Sequence, residues 1–253
     1  MANALTHMAA PARAFVHQVH WYDRVGSTND VVRELADGGA PEGTLVVADA
    51  QDAGRGRLGR TWTSPEGAGL YVSILLRPST PVPSLTLAAG VAVAEGVRSA
   101  TGLTVQLKWP NDVYIGARKL GGILAEGGRV AGAPFVVVGI GLNVRHVDYP
   151  PEIAGRATAL EDECGETADR WLVLAAVLEA LVTVYAKVTA GRSHAVMSAW
   201  RALSQPTAGR RVEWDDAGRT RAGIVREVDD LGALVVDAPE GLHRIVSGEV
   251  RWS

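Results

Sequence analysis

A single cysteine, Cys164, leaves this chain without an internal disulfide or a cysteine-rich zinc site, which fits a reducing compartment. The six histidines, at positions 7, 17, 20, 146, 194 and 243, show no paired spacing on a helix face beyond His17 and His20, which argues against a zinc enzyme. Nowhere do eighteen apolar residues run unbroken. The N-terminal stretch MANALTHMAAPARAF also lacks a basic start followed by an apolar run long enough for secretion, so a cytoplasmic protein with no membrane partner is expected. No Gly-x-Ser-x-Gly elbow and no Walker loop occurs, and serine hydrolase and P-loop phosphotransferase chemistry lose support. Lysine is scarce too: only Lys108, Lys119 and Lys187 stand among 25 basic residues. Where arginine supplies charge by default, a retained lysine points to a need for a compact ammonium, and two of the three lie in one short stretch.

What remains is an ordinary soluble composition, 47% hydrophobic and 21% charged over 253 residues, enough for one large domain and a small one. The net charge of −3 argues against wholesale binding to nucleic acid or an anionic membrane. Against that background residues 51–62, QDAGRGRLGRTW, are a local exception. Gly54, Gly56 and Gly59 interleave with Arg55, Arg57 and Arg60, and the run closes on Trp62. Glycine lets the backbone approach a ligand closely, and each guanidinium offers a planar fork of donors to carboxylate or phosphate. This is an anion-binding loop, expected to be mobile until an anion fills it.

Apolar periodicity predicts strands at Thr44–Ala50, Leu70–Leu76, Val105–Lys108, Gly121–Glu126 and Phe135–Gly141. Helices are predicted over Asn29–Ala36, Leu85–Ala100, Ala168–Ala190 and Ser193–Leu203. Gln205–Gly209 then reads as a linker, and the short alternating strands after it as a small β-barrel. The expected domains are therefore 1–206 and 207–253.

Several segments carry possible chemistry. Ser27 and Asp30 fit a capping box ahead of the first helix; alternatively Ser27, Thr28 and the Gln51 amide fix a polar head group. Lys108-Trp-Pro-Asn-Asp112 sits at a strand end, where ligands gather in α/β sheets, and Asp112 is a lone candidate for Mg²⁺. Lys119 opens a strand. Gly139-Ile-Gly141-Leu-Asn143 would let a flat ligand lie on backbone, but the third glycine and helix of a dinucleotide fingerprint are missing.

In order, GSTND, GRGRLGR, KWPNDV, RKLGGIL and GIGLNV resemble the signature blocks of the biotin–protein ligase family, over residues 26–144. The tail SGEVRWS is similar to that family's C-terminal SH3-like barrel. The resemblance implies an α+β fold: a catalytic domain related to class II aminoacyl-tRNA synthetases, with helices against a mixed sheet, followed by that barrel. It implies two steps, in which biotin and ATP with Mg²⁺ give biotinyl-5′-adenylate and a lysine of a biotin carboxyl carrier domain of an acyl-CoA carboxylase then takes the biotinyl group.

Carried onto this sequence, the resemblance assigns biotin to Ser27, Thr28, Asn29, Gln51, Gly54, Arg55, Gly56, Arg57, Lys119, Gly122 and Gly141. It assigns the nucleotide to Arg55, Arg57, Arg60, Trp62, Asn111, Lys119 and Asn143, with Lys119 and Arg57 as catalytic groups that offset charge. Asp112 is a candidate base for the acceptor amine. Val147, Ala157 and Leu160 are candidates to cover the adenine. Two departures stand out: about 25 residues precede Ser27, too few for the DNA-binding domain that some members carry ahead of the catalytic part, and Leu58 occupies a loop position often basic or polar in relatives. A monomer or homodimer is compatible with the sequence. The alternatives are a lipoate–protein ligase, whose acid has no ureido ring, and a non-catalytic nucleic-acid or effector-binding protein.

Overall fold

A computed structural model describes residues 6–149 and 151–252; residues 1–5 of the N-terminal stretch, Pro150 of the Tyr-Pro-Pro run and Ser253 of the tail lie outside the described residues. Its frame is a seven-stranded mixed sheet in the order β1-β2-β3-β7-β6-β5-β4. The strands are β1 (Gln18–Val25), β2 (Thr44–Gln51), β3 (Gly69–Leu76), β4 (Gln106–Lys108), β5 (Asp112–Ile115), β6 (Arg118–Val130) and β7 (Ala133–Asn143). Only β1 and β2 run parallel, and every other neighbouring pair is antiparallel.

The two faces of this sheet differ, and period-two alternation decides how. Leu70, Val72, Ile74 and Leu76 of β3 join Val138, Ile140 and Leu142 of β7 in the main core. That core is closed by α3 (Leu85–Thr101) and α6 (Arg170–Thr189), the latter capped by Asp169, whose carboxylate accepts from the Trp171 and Leu172 amides. By length and composition α6 is apolar enough to cross a membrane, yet Val173, Leu174, Val177, Leu178, Leu181 and Val184 are buried in the core. The opposite face carries α2 (Thr28–Asp37), which packs Val32 and Ala36 on Val46, Leu75, Phe135 and Val137. Beyond the first turn of α2 the strand positions on this face become Ser73, Gly139, Gly141 and Gly122. Small residues leave a hollow there.

The remaining helices are α1 (Ala10–Phe15), α4 (Pro151–Ala154), α5 (Leu160–Cys164) and α7 (Ser193–Leu203). Residues after α7 run along the sheet edge, where the Gln205 amide donates to Leu107 O at 2.9 Å. The C-terminal module holds β8 (Arg211–Asp216), β9 (Arg219–Val228), β10 (Leu234–Ala238), β11 (Gly241–Ile245) and β12 (Val250–Trp252). Its antiparallel order is β11-β10-β9-β8-β12, with β11 and β12 at separate edges. The sheet is therefore open where the sequence suggests a closed barrel.

Candidate active site

The hollow is a cleft of about 610 Å³, and its uncharged end is built by the N-terminus of α2. The Thr28 backbone N–H and hydroxyl both donate to Gln51 Oε1, at 2.9 and 3.1 Å, and Gln51 Nε2 donates to Ser64 Oγ at 2.9 Å. Beneath them the fully buried Ser73 hydroxyl lies 2.7 Å from Thr28 Oγ1 and 2.6 Å from Asn29 Oδ1, while Asn29 Nδ2 donates to Glu126 Oε2 at 2.6 Å. Ser27, Thr28, Asn29 and Gln51 all line the cleft. The capping-box expectation is corrected: Ser27 is the N-cap of α2 but its side chain makes no cap bond, and Asp30 turns to Arg55.

Arg55 to Arg60 form the next wall, and protein groups hold this loop where the sequence predicts an anion would. Arg55 donates to both oxygens of Asp30 at 2.5 Å and sits 3.6 Å from Glu126. The hydrogen bonds from Arg55 hold the Asp30 carboxyl below its usual range, and the same bonds raise the Arg55 guanidinium. Arg55 is thus tied to the first turn of α2 while its side chain still lines the cleft. Arg57 is different. Its Nη2 donates to Gly248 O at 3.1 Å, and burial lowers its pKa, only partly offset by Asp112. Arg60 pairs with Glu249. Leu58 between them adopts φ 57° and is 62% exposed, an apolar tip on a polar loop.

Gly54 is absent from the lining, because a methyl group there would lie 2.4 Å from Trp62 O and 2.8 Å from Ser64 Oγ; it lets the base of the loop close on itself. Gly56, Gly122 and Gly141 do line the cleft. At Gly141 a methyl would meet Trp62 Nε1 at 2.6 Å, so the indole, not a free ligand, occupies that glycine's space. Gly122 has no atom nearer than 3.7 Å in the same direction and is the open part of the floor.

Lys119 stands where the two halves meet. Its Nζ is 2.6 Å from Asp112 Oδ1 and 5.6 Å from the centroid of the Trp62 ring, so salt bridge and aromatic face fix the ammonium over the cleft. Lys108, 5.5 Å from the Tyr114 ring, adds a second cation, lowered in pKa first by burial and then by Arg210. Asn111 and Asn143 line the cleft, and each uses one Nδ2 proton on backbone, donating to Ile123 O and Thr158 O respectively, at 2.9 Å each. They fix the turn after β4 and the segment after β7. Asp112, engaged by Lys119, does not fit a protein-held Mg²⁺ site. Among the described residues no group of three or more His, Cys, Asp or Glu residues could hold a metal ion.

The far wall corrects the adenine-covering set. Ala157 lines the cleft, but Leu160 is fully buried in the core and Val147 is not among the lining residues. Tyr149, Ile153 and Arg156 line the cleft there. The Tyr149 phenol is pushed up to about 12 by burial and by Asp162, and it stays neutral across the physiological range. The segment is tied to Lys119 itself: the Lys119 amide donates to Arg156 O at 2.7 Å, and the Thr158 amide donates to Lys119 O at 3.0 Å.

Comparison with known proteins agrees with this geometry. Residues 21–143 match the model of the biotin/lipoate A/B protein ligase family. A biotin–[acetyl-CoA-carboxylase] ligase of Mycobacterium tuberculosis is 36% identical over 238 residues, covering 90% of this chain and 86% of that protein. This chain belongs to the biotin–protein ligase family. The bifunctional ligase/repressor BirA of Bacillus subtilis is 37% identical over 91% of this chain and 72% of its own length. The biotin protein ligase of Aquifex aeolicus, solved with biotin and ATP, superposes with a TM-score of 0.80 at 32% identity, covering 94% of this chain and 99% of that one.

Sequence reasoning missed Ser73, Asp30 as the Arg55 partner, Glu126, Tyr149 and the Gly248–Glu249 segment. For Ser73 a signal existed: a short hydroxyl side chain inside the largely apolar LYVSILL strand must find a partner once buried.

Proposed function

We propose that this ligase activates biotin with ATP and passes it to the lysine of a biotin carboxyl carrier domain. The observation that carries the reading is the polarity gradient of one cleft: neutral hydrogen-bonding groups at Thr28 and Gln51, cations at Arg57, Lys108 and Lys119. The neutral end suits a ureido ring, whose N–H and C=O groups need partners but no counter-charge. The cationic end suits a carboxylate meeting a polyphosphate.

In the first step a biotin carboxylate oxygen attacks the α-phosphorus of ATP and the bond to pyrophosphate breaks. Both reactants are anions, and fixed cations in a part-buried cleft lower the barrier without having to reorganise. Lys119 lies between the two ends and is the group placed to stabilise charge there. In the second step the acceptor amine attacks the acyl carbonyl and AMP departs. Holding the adenylate and amine in line can contribute about 7–11 kcal/mol. Asp112, held at 2.6 Å by Lys119, is the carboxylate available to receive the amine proton.

The proposal includes Mg²⁺ arriving as the counter-ion of ATP, a synthetase-like catalytic domain over 1–206, an SH3-like module over 207–253, a cytoplasmic location and no nucleic-acid partner. Biotin-dependent exchange of label between pyrophosphate and ATP tests the first step without an acceptor. Exchange driven by biotin and not by lipoate supports the reading; no exchange with biotin overturns it.

A further inference from the structure

The C-terminal module meets the cleft at two places. One is the segment of Gly248, Glu249, Val250 and Trp252, which lines the cleft beside the arginine loop. The other is the turn joining β9 to β10, which lines no part of the cleft itself and reaches it through Trp109, a lining residue. There the Trp109 indole, 2% exposed, donates from Nε1 to Gly232 O at 3.0 Å. Trp109 follows Lys108 at the end of β4 and leads through Pro110 and Asn111 to Asp112, so its neighbours on either side carry the second cation and the partner of Lys119.

The module's turn is built to present that carbonyl. Asp229 Oδ1 accepts from the amides of Leu231 and Ala233 at 2.9 and 3.0 Å, and its other oxygen takes Arg244 at 2.6 Å. Gly232 has φ +86°, and a methyl on it would lie 3.1 Å from Leu87 Cδ1 and 3.3 Å from Ser84 Cα. Only glycine keeps the turn this close to α3. Arg201 of α7 clamps the same turn, donating to Val228 O and to Asp230 Oδ1 at 3.0 Å. A tight turn held from both domains thus ends on one hydrogen bond to one buried indole.

We infer that Trp109 is a positioning residue, through which the C-terminal module sets the Lys108–Asp112 turn and thereby the cationic half of the cleft. The inference rests on the ligase reading above. Trp109 acts through Lys108 and Asp112, while the hydrogen-bonding groups of the biotin end, Thr28 and Gln51, stand on α2 and β2 and bond to each other and to Ser64. Loosening the brace therefore separates the two substrates.

Trp109→Phe keeps an aromatic ring and removes the donor; Gly232→Ala keeps the donor and displaces the acceptor. Biotin-dependent ATP–pyrophosphate exchange is measured for the whole chain and both variants, with biotin affinity measured directly by calorimetry. The expected result is a KM for ATP raised about 5- to 20-fold, or kcat lowered by a similar factor, in both variants, with biotin affinity within about twofold of the parent. Parent-like ATP kinetics in Trp109→Phe overturn the brace, as does a parallel loss of biotin affinity in both variants, which would mark a general packing defect. Absence of exchange in the parent chain would instead overturn the ligase reading, so the two failures are distinct.

Discussion

Arg55 holds Asp30 through two parallel hydrogen bonds, Nη1 to Oδ2 and Nη2 to Oδ1, both 2.5 Å long. The pair ties the first arginine of the loop to the first turn of α2, the same turn that presents Thr28 and Asn29. Loop and neutral pocket are therefore one mechanical unit. Asp30→Asn weakens the tie and leaves Arg55 with Glu126 at 3.6 Å. Because Asp30 is about half exposed the stability cost is small, about 0–1 kcal/mol. The loop should nevertheless open more often, and trypsin should cut the ligand-free variant after Arg57 or Arg60 several-fold faster than the parent. Equal cleavage rates would show that the tie does not restrain the loop. The pH dependence follows in sign: the folded-state pKa of Asp30 is depressed, so its stabilisation is complete above the ordinary 3.8 and is lost only as pH falls through the lower folded value.

Lys119 touches both Asp112 and Trp62, and its ammonium is the charge nearest the junction of the two cleft halves. Lys119→Ala should reduce the maximal rate of biotin-dependent pyrophosphate exchange by about 10²–10³, the scale of one lost preorganised donor. Biotin affinity, set mainly at Thr28 and Gln51, should change by no more than about threefold. Comparable losses in rate and affinity would assign Lys119 to simple binding.

How much of this was legible beforehand depends on where each partner lies along the chain. The helix over Ser193–Leu203 and the strand starting at Thr44 were read correctly because apolar periodicity is local. Strand β1 was missed: as an edge strand of QVHWYDRV, mostly half-buried or exposed, it has no alternation to see. The glycine–arginine loop is legible as a cationic motif, but its protein partners are not, since Asp30 is 25 residues from Arg55 and Glu249 is 189 from Arg60. Chain pattern announces a cation and is silent about the distant carboxylate that will answer it. The asparagines show the same limit, since their backbone partners, Ile123 O and Thr158 O, lie 12 and 15 residues away along the chain.

Lys108 carries a pH signature. Burial, then Arg210 and Lys119, push its ammonium below the ordinary 10.5, and Asp112 opposes them. A phosphate ligand needs the protonated form, so KM for ATP should climb once pH passes the lowered value, by up to tenfold per pH unit. Arginine stays protonated throughout, and Lys108→Arg should lose that alkaline limb whatever its KM at neutral pH. Exchange kinetics between pH 7 and 10 distinguish the cases; an identical limb in both proteins would exclude Lys108 as its source.

Ser73 makes the least conspicuous contribution and supports the most. It is wholly buried on the interior strand β3, 2.7 Å from Thr28 Oγ1 and 2.6 Å from Asn29 Oδ1. Ser73→Ala leaves those atoms short of a partner in a place water does not reach, at a cost of about 1–3 kcal/mol. For a chain of this length each kcal/mol lowers Tm by about 2–4 °C. The same change should free Thr28 and Asn29 to rotate and so weaken biotin binding by about 3- to 10-fold, because Thr28 can no longer be held square to Gln51. A lowered Tm with unchanged biotin affinity would mean that the buried hydroxyl steadies the sheet alone, and that α2 orients its first turn without help from the strand beneath it.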